Sequence, residues 1–283
     1  MDKKELQNPA LYTNRELSWL LFNKRVLSEA RDKQLLLFER LKFLSITASN
    51  LDEFFMVRIG SLVDMIHAEY TKKDIAGMSA KEQLDALMEE THKFAALQYS
   101  TYNRMLLPQL RANGLNFVEH HEQLTERQAQ YVDEYFEENV YPVLTPMAVD
   151  SSRPFPLIRN KTLNIGALVA KKGEKDTEIE FATVQVPSVL PRVVRIPAAK
   201  EGDTEVAVLL LEEIIERNIS KLFLNYNVLC AHPFRITRNA DLAIDEDEAE
   251  DLLLEIEKQI KKRTWGQAIR LEIEAAADRR LLK

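Results

Sequence analysis

A polar residue with both a hydrogen-bond donor and an acceptor, Asn50, interrupts an apolar run between residues 46 and 60. Its side-chain amide could pair with the edge of an adenine, since that edge also presents one donor and one acceptor. Alternatively, Asn50 caps a break in a long helix, because asparagine competes with the backbone for hydrogen bonds. The residues alone favour the cap.

Two adjacent acids, Asp52 and Glu53, come next in the same run. A pair of carboxyl groups could serve as a general acid and a general base. Arg40 and Arg58 are close in the sequence, however, and oppositely charged neighbours on helices commonly form ion pairs. The spacing therefore favours salt bridges from these acids to the two arginines over a catalytic pair.

The aromatic and basic residues near this run are most simply interpreted as structural residues. Phe54 and Phe55 are expected in the hydrophobic core rather than on a base-stacking platform. Arg15 and Arg25 would lie near the run if the first two helices pair, and there they could meet a phosphate. Alternatively, both arginines are ordinary solvent-exposed residues on helices.

The sequence lacks the usual catalytic and metal-binding signatures. Its seven glycines form neither a GxGxxG nor a GxxxxGK[ST] loop, so neither of these phosphate-cradling motifs is present. The single cysteine excludes a zinc site built on several cysteines. Among five histidines, only His120 and His121 are adjacent, and a metal role there is the less favoured alternative to solvation. We therefore assign no catalytic and no metal-binding residue from the sequence.

Composition limits the class of protein. With 283 residues and 46% hydrophobic content, the chain can form two domains with substantial cores. The net charge of −7 argues against a general attraction to nucleic acid or to an anionic membrane. The N-terminus has no signal-peptide pattern, and no window reaches the length of a membrane span. These features predict a cytoplasmic protein.

The first part of the chain is predicted to be helical. Apolar residues recur at helical spacing, which predicts helices over 14–32, 36–70 and 79–112 in an antiparallel bundle. Thr13 with Glu16 and Ser79 with Glu82 fit the capping-box pattern, and Asn113-Gly114 provides a stop. We place the first domain at residues 1–115.

The second part, residues 116–283, is predicted to be an α+β domain with a mixed or antiparallel sheet. Thr125 and Gln128 begin a helix over 126–140. Helices are also predicted over 206–223 and 246–263, and strands over 163–170, 179–186, 228–238 and 267–275. Lys171-Lys172-Gly173 is expected in a hairpin loop. The fold class is thus a helical bundle followed by an α+β domain.

Several segments together resemble the first family of polyphosphate kinases. These are ELSWLLFNKRVL, SNLDEFFMVR, YPVLTPMAVDSSRPFPLI, VQVPSVLPRVVRIP, FRITRNADLAIDEDEAEDLLLEIE and AIRLEIE, which occur in the family's order and approximate spacing. None is a catalytic motif alone. Their joint occurrence extends the resemblance over nearly the whole chain.

The resemblance implies an N-terminal helical domain and a head domain, the latter taking part in dimerisation. It implies reversible transfer of the terminal phosphate of ATP to inorganic polyphosphate through a phosphohistidine. That histidine and the magnesium ligands belong to later domains, so this chain alone is expected to be inactive. By position in SNLDEF, Asn50 is implied to contact ATP, which reverses the preference for a cap. The alternative is a standalone protein-interaction module that binds no nucleotide.

Overall fold

A computed structural model describes residues 5–149, 156–173, 179–240 and 266–282. The chain divides into two compact units, one formed by Met1–Gln109 with Thr237–Arg270 and the other by Leu110–Ile236 with Leu271–Lys283. The domain boundary placed after residue 115 stays a prediction. None of the described helices combines the length and the apolar composition required to cross a membrane.

Three long helical segments occupy the first part of the chain, as the periodicity predicts. The α-helices are α1 (Arg15–Arg31), α2 (Leu37–Phe54), α3 (Gly60–His67), α4 (Ala80–Thr101) and α5 (Leu107–Ala112). One π-helical segment, Phe55–Ile59, joins α2 to α3 without a break, and another, Tyr102–Leu106, joins α4 to α5. Helix α1 packs against both α2 and α4.

The buried face of these helices forms the core of the first unit. Leu27, Leu51 and Leu87 are at most 1% exposed. Such apolar residues recur at intervals of three or four along each helix, so each helix presents one apolar stripe to its neighbours. Burial of these stripes stabilises the bundle, because each fully buried leucine contributes roughly 1.5–3 kcal/mol.

The first helix begins one residue later than the capping-box pattern predicts. Asn14, not Thr13, is the N-cap, and its Oδ1 accepts hydrogen bonds from the backbone N–H groups of Glu16 and Leu17. Asparagine caps as well as serine or threonine do, and here its own amide also donates to Gln83. The predicted Thr13–Glu16 capping box is therefore wrong.

The other two capping boxes are confirmed. The Ser79 side chain accepts from the backbone of Glu82, whose carboxylate accepts from the backbone of Ser79. Thr125 and Gln128 make the same reciprocal pair at the start of α6 (Glu126–Tyr135). Each box satisfies N–H groups that have no partner within the helix.

Two sheets lie in the second part of the chain. The strands are β1 (Leu115–Val118), β2 (Pro146–Val149), β3 (Leu163–Lys171), β4 (Ile179–Gln185), β5 (Val193–Ile196), β6 (Val206–Leu210), β7 (Tyr226–Arg238) and β8 (Ala268–Ile273). The larger sheet has the order β2-β4-β3-β7-β8, with antiparallel pairing from β2 to β7. The smaller sheet has the order β1-β6-β5, with β1 parallel to β6 and β5 antiparallel to β6.

The predicted helix over 206–223 is wrong in its first part. Residues Val206–Leu210 form the central strand β6, and helix α7 covers only Leu211–Arg217. Ala207, Val208 and Leu209 are at most 6% exposed, so consecutive residues are buried on both faces of the sheet. A continuous apolar run of this kind does not distinguish a buried strand from a buried helix by periodicity.

The remaining strand predictions are confirmed, as is the fold class. Strands β3, β4, β7 and β8 lie within two residues of the predicted ranges, and β3 and β4 pair as an antiparallel hairpin. Gly173 has a φ of 88°, a left-handed conformation that suits glycine in the turn after β3. The predicted 126–140 helix continues from α6 through a π-helical segment, Phe136–Val140. The predicted helix over 246–263 lies outside the described residues.

Candidate functional site

Helix α1 runs antiparallel to α2 and to the π-helical segment that continues α2. Three side-chain pairs follow one another along this contact, here called the α1–α2 seam. The Glu16 carboxylate lies 3.9 Å from Arg58 Nε at one end. The Trp19 and Phe54 rings stack next, with centroids 4.4 Å apart. The amide pair Asn23–Asn50 lies one turn further along, at 3.1 Å. Polar and aromatic pairs therefore alternate along one seam of the first unit.

The orientation of the two amides in the seam is fixed by a backbone carbonyl. Asn23 Nδ2 donates to the carbonyl oxygen of Thr47 at 3.1 Å, and a carbonyl can only accept. Asn23 must therefore turn its Oδ1 towards Asn50, which donates through Nδ2. Asn23 is completely buried, so the exchange of its oxygen and nitrogen would leave acceptors facing each other away from water.

The structure overturns the interpretation of Asn50 as a cap. Asn50 lies inside α2, four residues before its end, and the helical path continues through the π-helical segment to His67. Within the described part of the chain, Asn50 Oδ1 and one N–H of its amide have no hydrogen-bond partner, and the side chain is half-buried. An acceptor and a donor thus remain on one amide, as pairing with an adenine edge requires.

The two acids of the same segment differ in their surroundings. Asp52 is 6% exposed, and its Oδ1 lies 3.4 Å from Arg270 Nη1, whereas Glu53 is exposed. The guanidinium of Arg270 also lies over the Phe55 ring, 4.8 Å from its centroid. Asp52 therefore forms an ion pair away from solvent, whereas Glu53 faces solvent. This difference argues against a catalytic acid–base pair formed by the two residues.

The predicted salt bridges from these acids to Arg40 and Arg58 are wrong. Arg40 is 2% exposed; its Nε donates to the Ala30 carbonyl and its Nη1 to Gln109. Arg58 pairs with Glu16. Helical geometry explains the difference, because Arg40 lies about three turns before Asp52 on α2 and reaches the C-terminal turn of α1 instead.

Phe54 and Phe55 are core residues, as predicted, at 2% and 4% exposure. Arg15 pairs with its neighbour Glu16 at 2.7 Å, and its side chain is 76% exposed. The guanidinium of Arg25 lies over Phe22, 5.8 Å from the ring centroid. The structure therefore gives each of these arginines an ordinary protein partner and leaves both near the surface.

Two residues of this region escaped the sequence interpretation. Asn23 occupies the buried stripe of α1, between Leu20 and Leu27, and a polar residue at such a position signals a buried hydrogen bond. Arg270 is separated from Asp52 by 218 positions, so no local pattern connects them. The buried position of Asn23 was detectable from the periodicity of α1, whereas the contact between Arg270 and Asp52 depends on the tertiary fold.

Comparison with known proteins places this arrangement in a family. The model of the polyphosphate kinase N-terminal domain matches residues 12–118, and that of the polyphosphate kinase middle domain matches residues 127–283. The chain therefore belongs to the polyphosphate kinase family. Within the family it comprises the N-terminal and middle domains, in agreement with the resemblance found in the sequence.

Individual relatives are also polyphosphate kinases. The chain is 48% identical to the polyphosphate kinase of Halalkalibacterium halodurans over 99% of its own length and 39% of that protein. It is 41% identical to the polyphosphate kinase of Synechocystis sp., over 98% of its length and 38% of the relative. The crystal structure of polyphosphate kinase from Porphyromonas gingivalis matches with a TM-score of 0.71 and 28% identity, covering 89% of this chain and 38% of that one. The chain thus spans about two fifths of these relatives.

Proposed function

We propose that the protein containing this chain reversibly transfers the terminal phosphate of ATP to inorganic polyphosphate. Family membership and the names of the relatives support this activity. A phosphohistidine intermediate divides the transfer into two displacements, in which a phosphoanhydride bond breaks as the phosphoimidazole forms and then reforms on polyphosphate. The histidine and the groups that bind magnesium belong to the remainder of the protein. This chain contributes a covering element for the ATP site and a surface for dimerisation.

Asn50 is the residue of this chain that contacts ATP in the proposal. The observation that carries the assignment is the amide pair of the α1–α2 seam, which holds Asn50 through one N–H and leaves its Oδ1 and second N–H available. The free Oδ1 can accept from the exocyclic amino group of adenine. Guanine presents an oxygen at that place, and two acceptors facing each other would repel. The contact therefore predicts a preference for ATP over GTP.

The experiment compares Asn50→Ala with the parent sequence in the full-length enzyme. The KM for ATP should rise by the equivalent of roughly 1–3 kcal/mol, because a buried polar partner is left unpaired. The ratio of kcat/KM for ATP to that for GTP should fall in the same variant. Structural damage alone would lower both values of kcat/KM and leave their ratio unchanged. Asn103→Ala serves as the matched control, since Asn103 is an exposed amide on the α4–α5 helical segment.

An unchanged KM and an unchanged nucleotide ratio in Asn50→Ala would remove the proposed contact and leave Asn50 as a structural residue. Two further measurements address the rest of the proposal. The isolated chain should neither make polyphosphate from ATP and magnesium nor become phosphorylated on histidine. Sedimentation of the full-length protein should show a dimer, and deletion of residues 116–283 should abolish it.

A further inference from the structure

A cluster of histidine and glutamate side chains lies in the second unit, whereas the α1–α2 seam belongs to the first. Strands β1 and β6 are parallel, with Val118 beside Leu209, so both strands end at the same edge of the sheet. The segment 119–123 comes directly after β1 there, and α7 begins directly after β6. This topology brings His120, His121 and Glu122 beside Glu213 in the first turn of α7.

The Glu213 carboxylate organises the cluster. Its side chain is 11% exposed, and its Oε2 accepts from the backbone N–H of His121 at 3.0 Å. His121 Nδ1 lies 3.3 Å from the same oxygen, while His120 Nδ1 lies 3.9 Å from Oε1. The backbone of His121 therefore holds one carboxylate oxygen in place, and each of the two oxygens faces an imidazole nitrogen.

Three side chains of the cluster converge on one point. One ligand atom from each of His120, Glu122 and Glu213 lies within 4.8 Å of the other two, the only such group of histidine, cysteine or acidic side chains in the described residues. Small rotations about the side-chain bonds of His120 and Glu122 can close these distances, because both side chains are exposed, at 53% and 71%. The same exposure leaves an entry path and room for water ligands.

Acidic side chains lie close together around this point. Burial, and then the nearby carboxylates of Glu213, Glu274 and Glu122, raise the pKa of Glu216 to about 8. Basic side chains on the same element and on the segment between β4 and β5 are engaged elsewhere, since Arg217 pairs with Asp133 and Arg192 with Glu212. A cation at the convergence point would relieve the repulsion among these carboxylates.

We propose that His120, Glu122 and Glu213 bind a divalent transition-metal ion, with His121 as a positioning residue that orients the Glu213 carboxylate. One imidazole nitrogen and two carboxylate oxygens form a ligand set that Zn²⁺ and Co²⁺ accept, with water completing the coordination. Magnesium prefers oxygen ligands alone, so this site differs in chemistry from a magnesium site that holds a nucleotide. The proposal does not depend on the ATP contact of Asn50.

The test uses the intact protein without a polyhistidine tag, stripped of metal with a chelator. Titration with Co²⁺ should produce visible absorption that saturates at one equivalent, and Zn²⁺ should displace the Co²⁺. His120→Ala and Glu122→Gln should each weaken binding by at least about tenfold, and His121→Ala by roughly 10–100-fold, as orienting partners of metal ligands do. His67→Ala is the matched control, because His67 is an exposed histidine of the first unit.

Three results would overturn the proposal. The first is the absence of stoichiometric Co²⁺ uptake by the parent protein. The second is Co²⁺ binding that neither His120→Ala nor Glu122→Gln weakens. The third is equal competition by Mg²⁺, which would indicate a general cation effect of the acidic surroundings. Circular dichroism spectra and the Tm of each metal-free variant identify any that fails to fold, and the two substitutions at exposed positions keep the proposal testable.

Discussion

Replacement of Asn23 tests whether the amide pair of the α1–α2 seam has the orientation that the Thr47 carbonyl imposes. In Asn23→Asp, the carboxylate retains the shape of the amide but has no N–H to donate. It would place one oxygen against the Thr47 carbonyl, while its other oxygen could still accept from Asn50. Asn23→Leu instead removes both hydrogen bonds with a similar side-chain volume.

The magnitude depends on burial. Asn23 is completely buried and makes two hydrogen bonds of 3.1 Å, one donated and one accepted. Loss of both in Asn23→Leu should lower the free energy of unfolding by roughly 2–3 kcal/mol, at about 1 kcal/mol for each bond plus the unpaired buried groups. Asn23→Asp should cost more, because an ionised carboxylate without its donor partner is buried against a carbonyl.

Urea unfolding of the full chain measures these free energies, and the stacked Trp19 next to the amide pair supplies a local fluorescence signal. The exposed Asn103→Asp is the control, with an expected change within about 0.5 kcal/mol. A double-mutant cycle with Asn50→Ala should give a coupling of roughly 0.5–3 kcal/mol to Asn23. If Asn23→Asp were as stable as the parent, the assigned direction of the hydrogen bonds would be incorrect.

Further predictions concern charge, capping and domain organisation. Burial raises the pKa of Glu216 from 4.5 to about 8, so its contribution to stability is fully present below pH 4.5 and is lost as the pH rises through 8. In metal-free buffer, Glu216→Gln should reduce the pH dependence of the free energy of opening of the second unit across that range, as measured by hydrogen exchange. Asp52→Ala should lower the free energy of unfolding by roughly 3–5 kcal/mol, as for other broken buried pairs, whereas the exposed Glu53→Ala should change it little. Ser79→Ala should cost about 1 kcal/mol in urea unfolding. Limited proteolysis should separate a helical fragment from a mixed one near residue 115, and a single resistant core would contradict that boundary.

The helical part of the fold was predictable because its signals are local. Leucines at helical spacing and the reciprocal pair of Ser79 and Glu82 depend on residues only three or four positions apart. Strand β6 was not predictable in this way, because Val206–Leu210 is apolar on both faces. The segment is a strand because it pairs with β1 on one side and with β5 on the other. Local propensity yields to tertiary context at such a position.

The candidate site shows the same division. Sequence reasoning located Asn50, but the choice between a cap and a ligand contact required the position of Asn50 relative to the helix end. The pairing of Asn50 with Asn23 depends on the register of two antiparallel helices, which the sequence does not specify locally. The ion pair of Asp52 with Arg270 joins residues from distant segments, and a prediction from nearby charges selected the wrong arginines.

The π-helical segment Phe55–Ile59 gives the first unit a place where chain length can vary. A π-helical turn contains one residue more than an α-helical turn of the same helix, so deletion of one residue there can restore α-helical hydrogen bonding without rotating α3. Rotation would matter, because a Cβ at Gly60 would lie 2.3 Å from Asn239 Oδ1, and a displaced helix would present a larger residue to that side chain. A one-residue deletion within the segment should therefore be tolerated better than one within α2.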